Sequence, residues 1–315
     1  MPARSGPDPA GLPDLVTADL ARAAGLTDDQ VRQRVRSGRW QVVARGVYLR
    51  HAAHLVDPHE AARLEHVHRA LAAGMTHADS VIALQSATAV HGLPIVSDAP
   101  AEVQLISEKG RSGTRDGVSI HRLPLAAADV ALLPNRPGAG PSERHLRVTT
   151  PLRTWVDIAR TSTLADGLAV GDRALRRGLI TQQALTDAAA QLRGRGSRHA
   201  RVAAELVHAG RETPLESWSA ACFHEWGLPQ PQVQVVVEDD TGRFVGRVDF
   251  LWEEFGVIGE ADGALKYDDR EANYAEKRRE DWLRELGFRV IRWGWSDLRR
   301  SALLRRRLEA ALRRV

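Results

Sequence analysis

Cysteine is nearly absent from this 315-residue chain. The single one, Cys222, excludes an internal disulfide and any zinc site built on paired cysteines. Lysine is almost as scarce, with only Lys109, Lys266 and Lys277 among 44 basic residues. A chain so biased towards arginine keeps a lysine where a compact, titratable ammonium serves and a guanidinium fork does not. No stretch reaches the roughly 18 uninterrupted apolar residues of a membrane span. The opening MPARSGPDPAGLPD lacks the apolar core of a secretory signal, so residues 1–14 read as a disordered lead and the chain as cytoplasmic.

What is present is ordinary globular composition: 43% hydrophobic and 27% charged residues, enough for two or three packed domains. The net charge of +4 suits nucleic acid without demanding it. Basic residues do cluster, at Arg32, Arg34, Arg36 and Arg39 and again from Arg299 to Arg314.

Residues 15–58 carry dense local signals. Thr17 can cap a short helix to Ala24, and Gly25 supplies a turn. Thr27 with Gln30 forms a capping-box pattern that opens a second helix, with Val31 and Val35 stacked towards a core. Ser37-Gly38 ends that helix. Trp40 to Val43, Arg45-Gly46 and Val47 to Leu49 then predict a hairpin. Helix, turn, helix and hairpin is the order of a winged helix-turn-helix.

Residues 59–210 predict a connecting α/β region. Helices are expected at His59–Ala73, Ser80–His91, Thr150–Ala159, Leu164–Gly178 and Thr181–Leu192. Strands are expected at Glu102–Ser107 and Gly117–Arg122, with a turn-rich 108–117 between them and a flexible 194–200 after the last helix. His51, His54, His59, His66 and His68 lack tight metal-ligand spacing and read as exposed polar positions.

From 211 on, the pattern predicts a helix from Thr213 to Trp226, strands Gln232–Glu238, Phe244–Trp252 and Val257–Ala261, a helix Tyr274–Leu286, a strand Phe288–Trp293 and a last helix Ser296–Arg314. Asp249, Glu260 and Asp262 fall inside or at the ends of apolar strands, where a lone charge is costly unless paired or metal-bound. Glu216 either completes a capping box with Thr213 or joins these acids. The helical wheel puts Arg279 on the sheet-facing stripe and Lys277 in solvent. Trp252, Trp282, Trp293 and Trp295 read as core more readily than as base-stacking groups.

Two resemblances follow. Residues 15–58 resemble the N-terminal DNA-binding domain of abortive-infection type IV antitoxins. This implies that Gln30, Gln33, Arg34 and Arg36 face the major groove and Arg39 or Arg45 the backbone. Residues 211–300 resemble the PD-(D/E)XK nuclease superfamily, and within it proteins related to very-short-patch-repair endonucleases. Asp249, the run Glu260-Ala261-Asp262-Gly263, Lys266-Tyr267 and Arg279, Leu283 and Gly287 carry that likeness. The superfamily puts its lysine two residues after the second acid, and here Asp262 stands there, so Lys266 has to reach in from the loop.

The resemblance implies an α/β (α+β) chain with a C-terminal restriction-endonuclease-like domain at 211–315. Its activity would be Mg2+-dependent DNA cleavage, with Mn2+ as a substitute. Asp249, Glu260 and Asp262 would be the metal ligands, Lys266 would position water, and Glu216 would be a further catalytic acid. Arg279 would bond a carboxylate or a phosphate of the nucleic acid. An RNA substrate, a partner toxin and a homodimer stay open. The rival expectation is a non-catalytic DNA-binding regulator or antitoxin with a degenerate nuclease-like domain.

Overall fold

The computed structural model describes residues 7–50, 58–98, 101–109, 112–133, 146–263 and 270–313. The chain is mixed α/β and divides into two compact units, Met1–Leu93 with Asp98–Asp157, and Pro94–Ser97 with Ile158–Val315. The sequence suggested boundaries at 14/15, 58/59 and 210/211. Among the described residues no helix is long and apolar enough to cross a membrane.

The first unit opens with β1 (Leu15–Thr17), α1 (Ala18–Ala23), α2 (Asp28–Arg36), β2 (Gln41–Ala44) and β3 (Val47–Leu49). The strands form a sheet in the order β1-β3-β2. Both helices start where the side chains direct. Thr17 Oγ1 accepts from Leu20 N at 3.2 Å. At α2, Thr27 accepts from Gln30 N and Gln30 Oε1 accepts from Thr27 N. Val16, Ala21, Leu26, Val31 and Trp40 form the small core beneath.

Residues 7–14, expected to belong to a disordered lead, are pinned by Asp8. Its carboxylate accepts from Arg34 Nε at 2.8 Å, Trp40 Nε1 at 3.0 Å and Arg50 Nε at 3.1 Å. Burial works to raise this carboxyl, but those hydrogen bonds and the Arg50 charge outweigh it and hold the group down at about 2.

The unit continues through α3 (Pro58–Thr76), β4 (Val81–Ile82), α4 (Leu84–His91), β5 (Val103–Ile106), β6 (Gly113–Arg115), β7 (Val118–His121), β8 (Val130–Leu132) and β9 (Arg147–Thr149). Its second sheet runs β6-β7-β5-β4-β9-β8. Three expectations change here. The start of the predicted 80–91 helix is β4, because Val81 and Ile82 are fully buried and pair with Ile106 and Leu105. The turn-rich 108–117 contains β6, which needs β7 to pair with and shows no apolar alternation. His66 and His68 are buried rather than exposed, and His66 Nε2 lies 2.9 Å from Ser86 Oγ.

Helix α5 (Pro151–Thr161) leads into the second unit, with α6 (Leu164–Arg176), α7 (Gln182–Gln191), α8 (Ser197–Leu206) and α9 (Pro214–Glu225). Helix α8 occupies part of the segment read as flexible, since burial of Ala200, Ala203 and Ala204 supports a helix whose sequence advertises little. Strands β10 (Gln232–Glu238), β11 (Phe244–Trp252) and β12 (Val257–Ala261) follow, then α10 (Arg270–Glu285), β13 (Arg289–Trp293), α11 (Trp295–Arg299) and α12 (Ala302–Ala311). The single expected last helix is therefore two. The sheet runs β10-β11-β12-β13, antiparallel except for the parallel β12–β13 pair.

Alternation along the strands separates two cores. Phe250, Trp252, Val257, Ile291 and Trp293 pack with Phe223 of α9, Leu298 of α11 and Leu304 of α12. Val245, Leu251 and Ile258 pack with Trp282 and Leu283 of α10. Phe223 sits edge-on to Phe250, Trp252 and Trp293, so Trp252 and Trp293 are core, while Trp282 and Trp295 are partly buried.

Asp8→Ala takes the carboxylate partner from the buried Arg34 guanidinium and is expected to destabilise the first unit by about 3 kcal/mol. Because the folded carboxyl titrates below its unfolded value, the contribution of Asp8 is full above about pH 4 and fades as pH falls towards 2. Thermal unfolding of wild type and variant across that window measures both effects.

Candidate functional site

The four strands of the second unit carry one polar row. Register pairs Val233 with Phe250 and Val235 with Val248, which sets Gln234 opposite Asp249. One step beyond the Phe250–Gly259 pair, Asp249 stands opposite Glu260. Glu260 is in turn paired with Arg292 on β13. Alternation puts Asp249 with Leu251 and Glu260 with Ile258, on the face covered by α10.

Two glycines make this arrangement sterically feasible. A Cβ on Gly259 would stand 2.5 Å from a Trp293 ring carbon and 3.0 Å from Trp252, so glycine lets both indoles lie across β12 beside Glu260. A Cβ on Gly246 would meet Arg279 Cδ at 3.0 Å. That space lets the Arg279 side chain lie along the sheet, where Nη1 donates to Arg247 O at 3.0 Å and Nη2 to Glu260 Oε1 at 3.1 Å.

The carboxylates differ in how they are held. Asp249 Oδ2 accepts from Ala261 N at 2.8 Å, and Oδ1 from Gln234 Nε2 at 3.2 Å. Burial raises the Asp249 carboxyl to about 6, the Glu216 charge adds to the rise, and the two hydrogen bonds and Arg279 oppose it. Glu216, only 2% exposed, accepts from Glu212 N at 3.0 Å, Thr213 Oγ1 at 2.8 Å and Gln234 Nε2 at 3.0 Å. Thr213 caps α9 by accepting from Glu216 N, but the Glu216 carboxylate accepts from Glu212 N and Thr213 Oγ1 instead of closing the box on Thr213 N, and Gln234 links it to the acidic row.

The start of α9 is itself anchored. Buried Asp172 on α6 accepts from Arg211 Nε at 2.6 Å, Ser217 Oγ at 2.8 Å and His208 N at 2.7 Å. This fixes the segment that carries Glu212, Thr213 and Glu216.

The other candidates scatter. Asp262 is exposed just beyond β12, and its N–H donates to Trp293 O at 2.8 Å. Lys266 and Tyr267 lie outside the described residues. Lys277 is exposed on α10, away from the carboxylates that Arg279 reaches. The Cys222 thiol is pushed up to about 12 by burial and by Glu225, which removes it as a nucleophile. Among the described residues, no group of three or more His, Cys, Asp or Glu is close enough to hold a metal ion.

In the first unit Arg34 cannot face a groove. It is 2% exposed because Asp8, Gln30 O and Pro7 O take up its guanidinium. Gln30 serves the capping box, Gln33 is half-buried, and Arg39 lies 3.6 Å from Asp8. Arg36 and Arg45 are exposed.

Gln234 is the residue that sequence reading missed. Its φ of +54° puts a non-glycine residue in the left-handed region, at a cost of order 1 kcal/mol. A glutamine inside an apolar strand was the only visible signal.

No family model and no solved structure matches the chain. It is 29% identical over 154 residues to an uncharacterized protein of Mycobacterium tuberculosis strain CDC 1551 / Oshkosh, and equally to one of strain ATCC 25618 / H37Rv. The match covers 49% of this chain and 56% of each relative, so the chain spans little more than half the length of the curated relatives it matches.

A carboxyl raised in the folded state binds protons that the unfolded chain releases. Asp249 therefore costs stability as pH climbs from about 4 past 6. In EDTA, the Tm advantage of wild type over Asp249→Ala is expected to shrink across that interval. A gap that stays constant would show that the carboxyl is not raised.

Proposed function

We propose that the second unit is a Mg2+-dependent nuclease that hydrolyses phosphodiester bonds of DNA. One observation carries this reading. Two largely buried carboxylates, Asp249 and Glu260, stand opposite each other on adjacent strands, and among the described residues Asp249 takes its hydrogen bonds from amides alone. A desolvated carboxylate so placed is favoured in its charged form by a cation.

The donor chemistry suits a hard ion. Mg2+ takes one or two carboxylates and keeps several waters, so it does not demand a larger protein cluster. Asp249 and Glu260 would hold it, together with the Ala261 carbonyl, and Mn2+ would substitute. The bound ion would supply Lewis acidity towards the phosphate and a more acidic water. The chain's own residues then divide the remaining work. Ala261 N–H and the Gln234 amide orient Asp249, and Arg279 stabilises the ionised Glu260. Lys266, which follows β12 in the sequence, is the candidate for orienting the attacking water, and Asp262 would steady it or a second ion.

The first unit, whose helix–turn–helix and hairpin order suits a winged helix, would dock the duplex through the exposed side of α2 and the β2–β3 hairpin. Arg36 and Arg45 are exposed basic groups there, and Arg39 is shared with Asp8. The non-catalytic regulator has one observation in its favour. Arg279 already neutralises Glu260, as expected of a site that has given up its metal.

Supercoiled plasmid incubated with the protein in Mg2+, Mn2+ or EDTA separates these readings. Metal-dependent nicking is expected, reduced at least about 100-fold in Asp249→Ala and Glu260→Ala, as loss of a metal ligand removes several kcal/mol of transition-state stabilisation. Duplex binding without cleavage in any metal would instead select the regulator.

A further inference from the structure

We infer that Gln234 is the positioning residue of this carboxylate site, with Glu216 as its anchor rather than as a metal ligand. This inference rests on the nuclease reading and assigns its supporting groups.

The hydrogen-bond capacities separate the two acids. A carboxylate oxygen offers two lone-pair sites. On Glu216, Oε2 accepts from both Glu212 N and Gln234 Nε2 and is filled, and Oε1 already accepts from Thr213 Oγ1. Glu216 is therefore largely spent on the chain itself and is buried at 2% exposure. Asp249 accepts one donor on each oxygen, from Gln234 Nε2 and Ala261 N, which fixes its plane and leaves a lone pair on each oxygen for a cation. The Gln234 amide spends both hydrogens on this task, one on Glu216 and one on Asp249. It carries no charge of its own, so it ties two like charges together without adding a third.

The backbone supports the same assignment. At φ +54° a glycine would be more comfortable, and among non-glycine residues asparagine or aspartate. A glutamine held there has been kept for its side chain, since only the longer amide spans from the β10 backbone to acids on α9 and β11. The chain of support runs from Asp172 and Arg211 to the start of α9, through Glu216 and Gln234, to Asp249.

The backbone preference and the side-chain role can be pulled apart with Gln234→Gly and Gln234→Asn, both compatible with the left-handed conformation. In the metal-free protein, backbone relief offsets part of the cost of taking a donor from the buried Glu216 and Asp249, so Tm is expected to fall only slightly in both. Mn2+ affinity, read by electron paramagnetic resonance, is expected to fall about tenfold or more, as for loss of a group that orients a ligand. The metal concentration for half-maximal plasmid cleavage should rise in step, with the rate recovering at saturating metal. Wild-type Mn2+ affinity in both variants would overturn the role of Gln234 and leave the nuclease reading standing. Unchanged affinity with a lower saturated rate would overturn it equally. Failure of the wild-type protein to bind Mn2+ would remove the carboxylate site itself, and this inference with it.

Discussion

Burial of acidic groups is the constraint around which the second unit is built. A carboxylate taken out of water has to be matched, or it reverts to its neutral form. Four of its acids meet this demand differently. Asp172 takes the Arg211 guanidinium, Glu260 takes Arg279, Glu216 takes three N–H and O–H donors, and Asp249 takes two amides. The first three are matched within the fold. Asp249 is matched least, and burial drives its carboxyl up to about 6.

That gradient links packing to chemistry. Asp172 determines where α9 begins, and the beginning of α9 places Glu216 against β10. Gly259 and Gly246 keep the sheet thin at two points, one for the tryptophan layer and one for Arg279. The strain at Gln234 fits the same scheme, because strained backbone persists where surrounding structure over-determines it. Stability is spent along the Gln234–Asp249–Glu260 row and regained in the aromatic core on the other face, where Phe223 meets four rings.

The first unit applies the same electrostatic logic to a different end. Asp8 gathers Arg34 and Arg50, with Arg39 nearby, and so stabilises the start of the chain against α2 and the hairpin. A helix whose arginines look poised for nucleic acid has thus committed one of them to its own fold. Charge counts along a helix do not reveal such internal pairing, since the partner lies 26 residues away.

Much of the second unit was legible in one dimension. Strands β10, β11 and β12 have the expected bounds, because apolar runs broken by Asp239–Gly242 and Gly256 leave few alternatives. The caps of α1, α2 and α9 were equally local: a threonine reaches its own helix three residues on. By contrast β4, β6, β8 and β9 have only two or three residues each, too few for a period, and exist because neighbouring strands pair with them. Sequence alone determined which acids sit in strands and which residues cap the helices, since these follow from spacing over a few residues. Tertiary structure decided that Arg34 is buried, that Gln234 bridges Glu216 and Asp249, and that Asp249 is left with the raised carboxyl. Each of these depends on desolvation and on partners brought from distant parts of the chain.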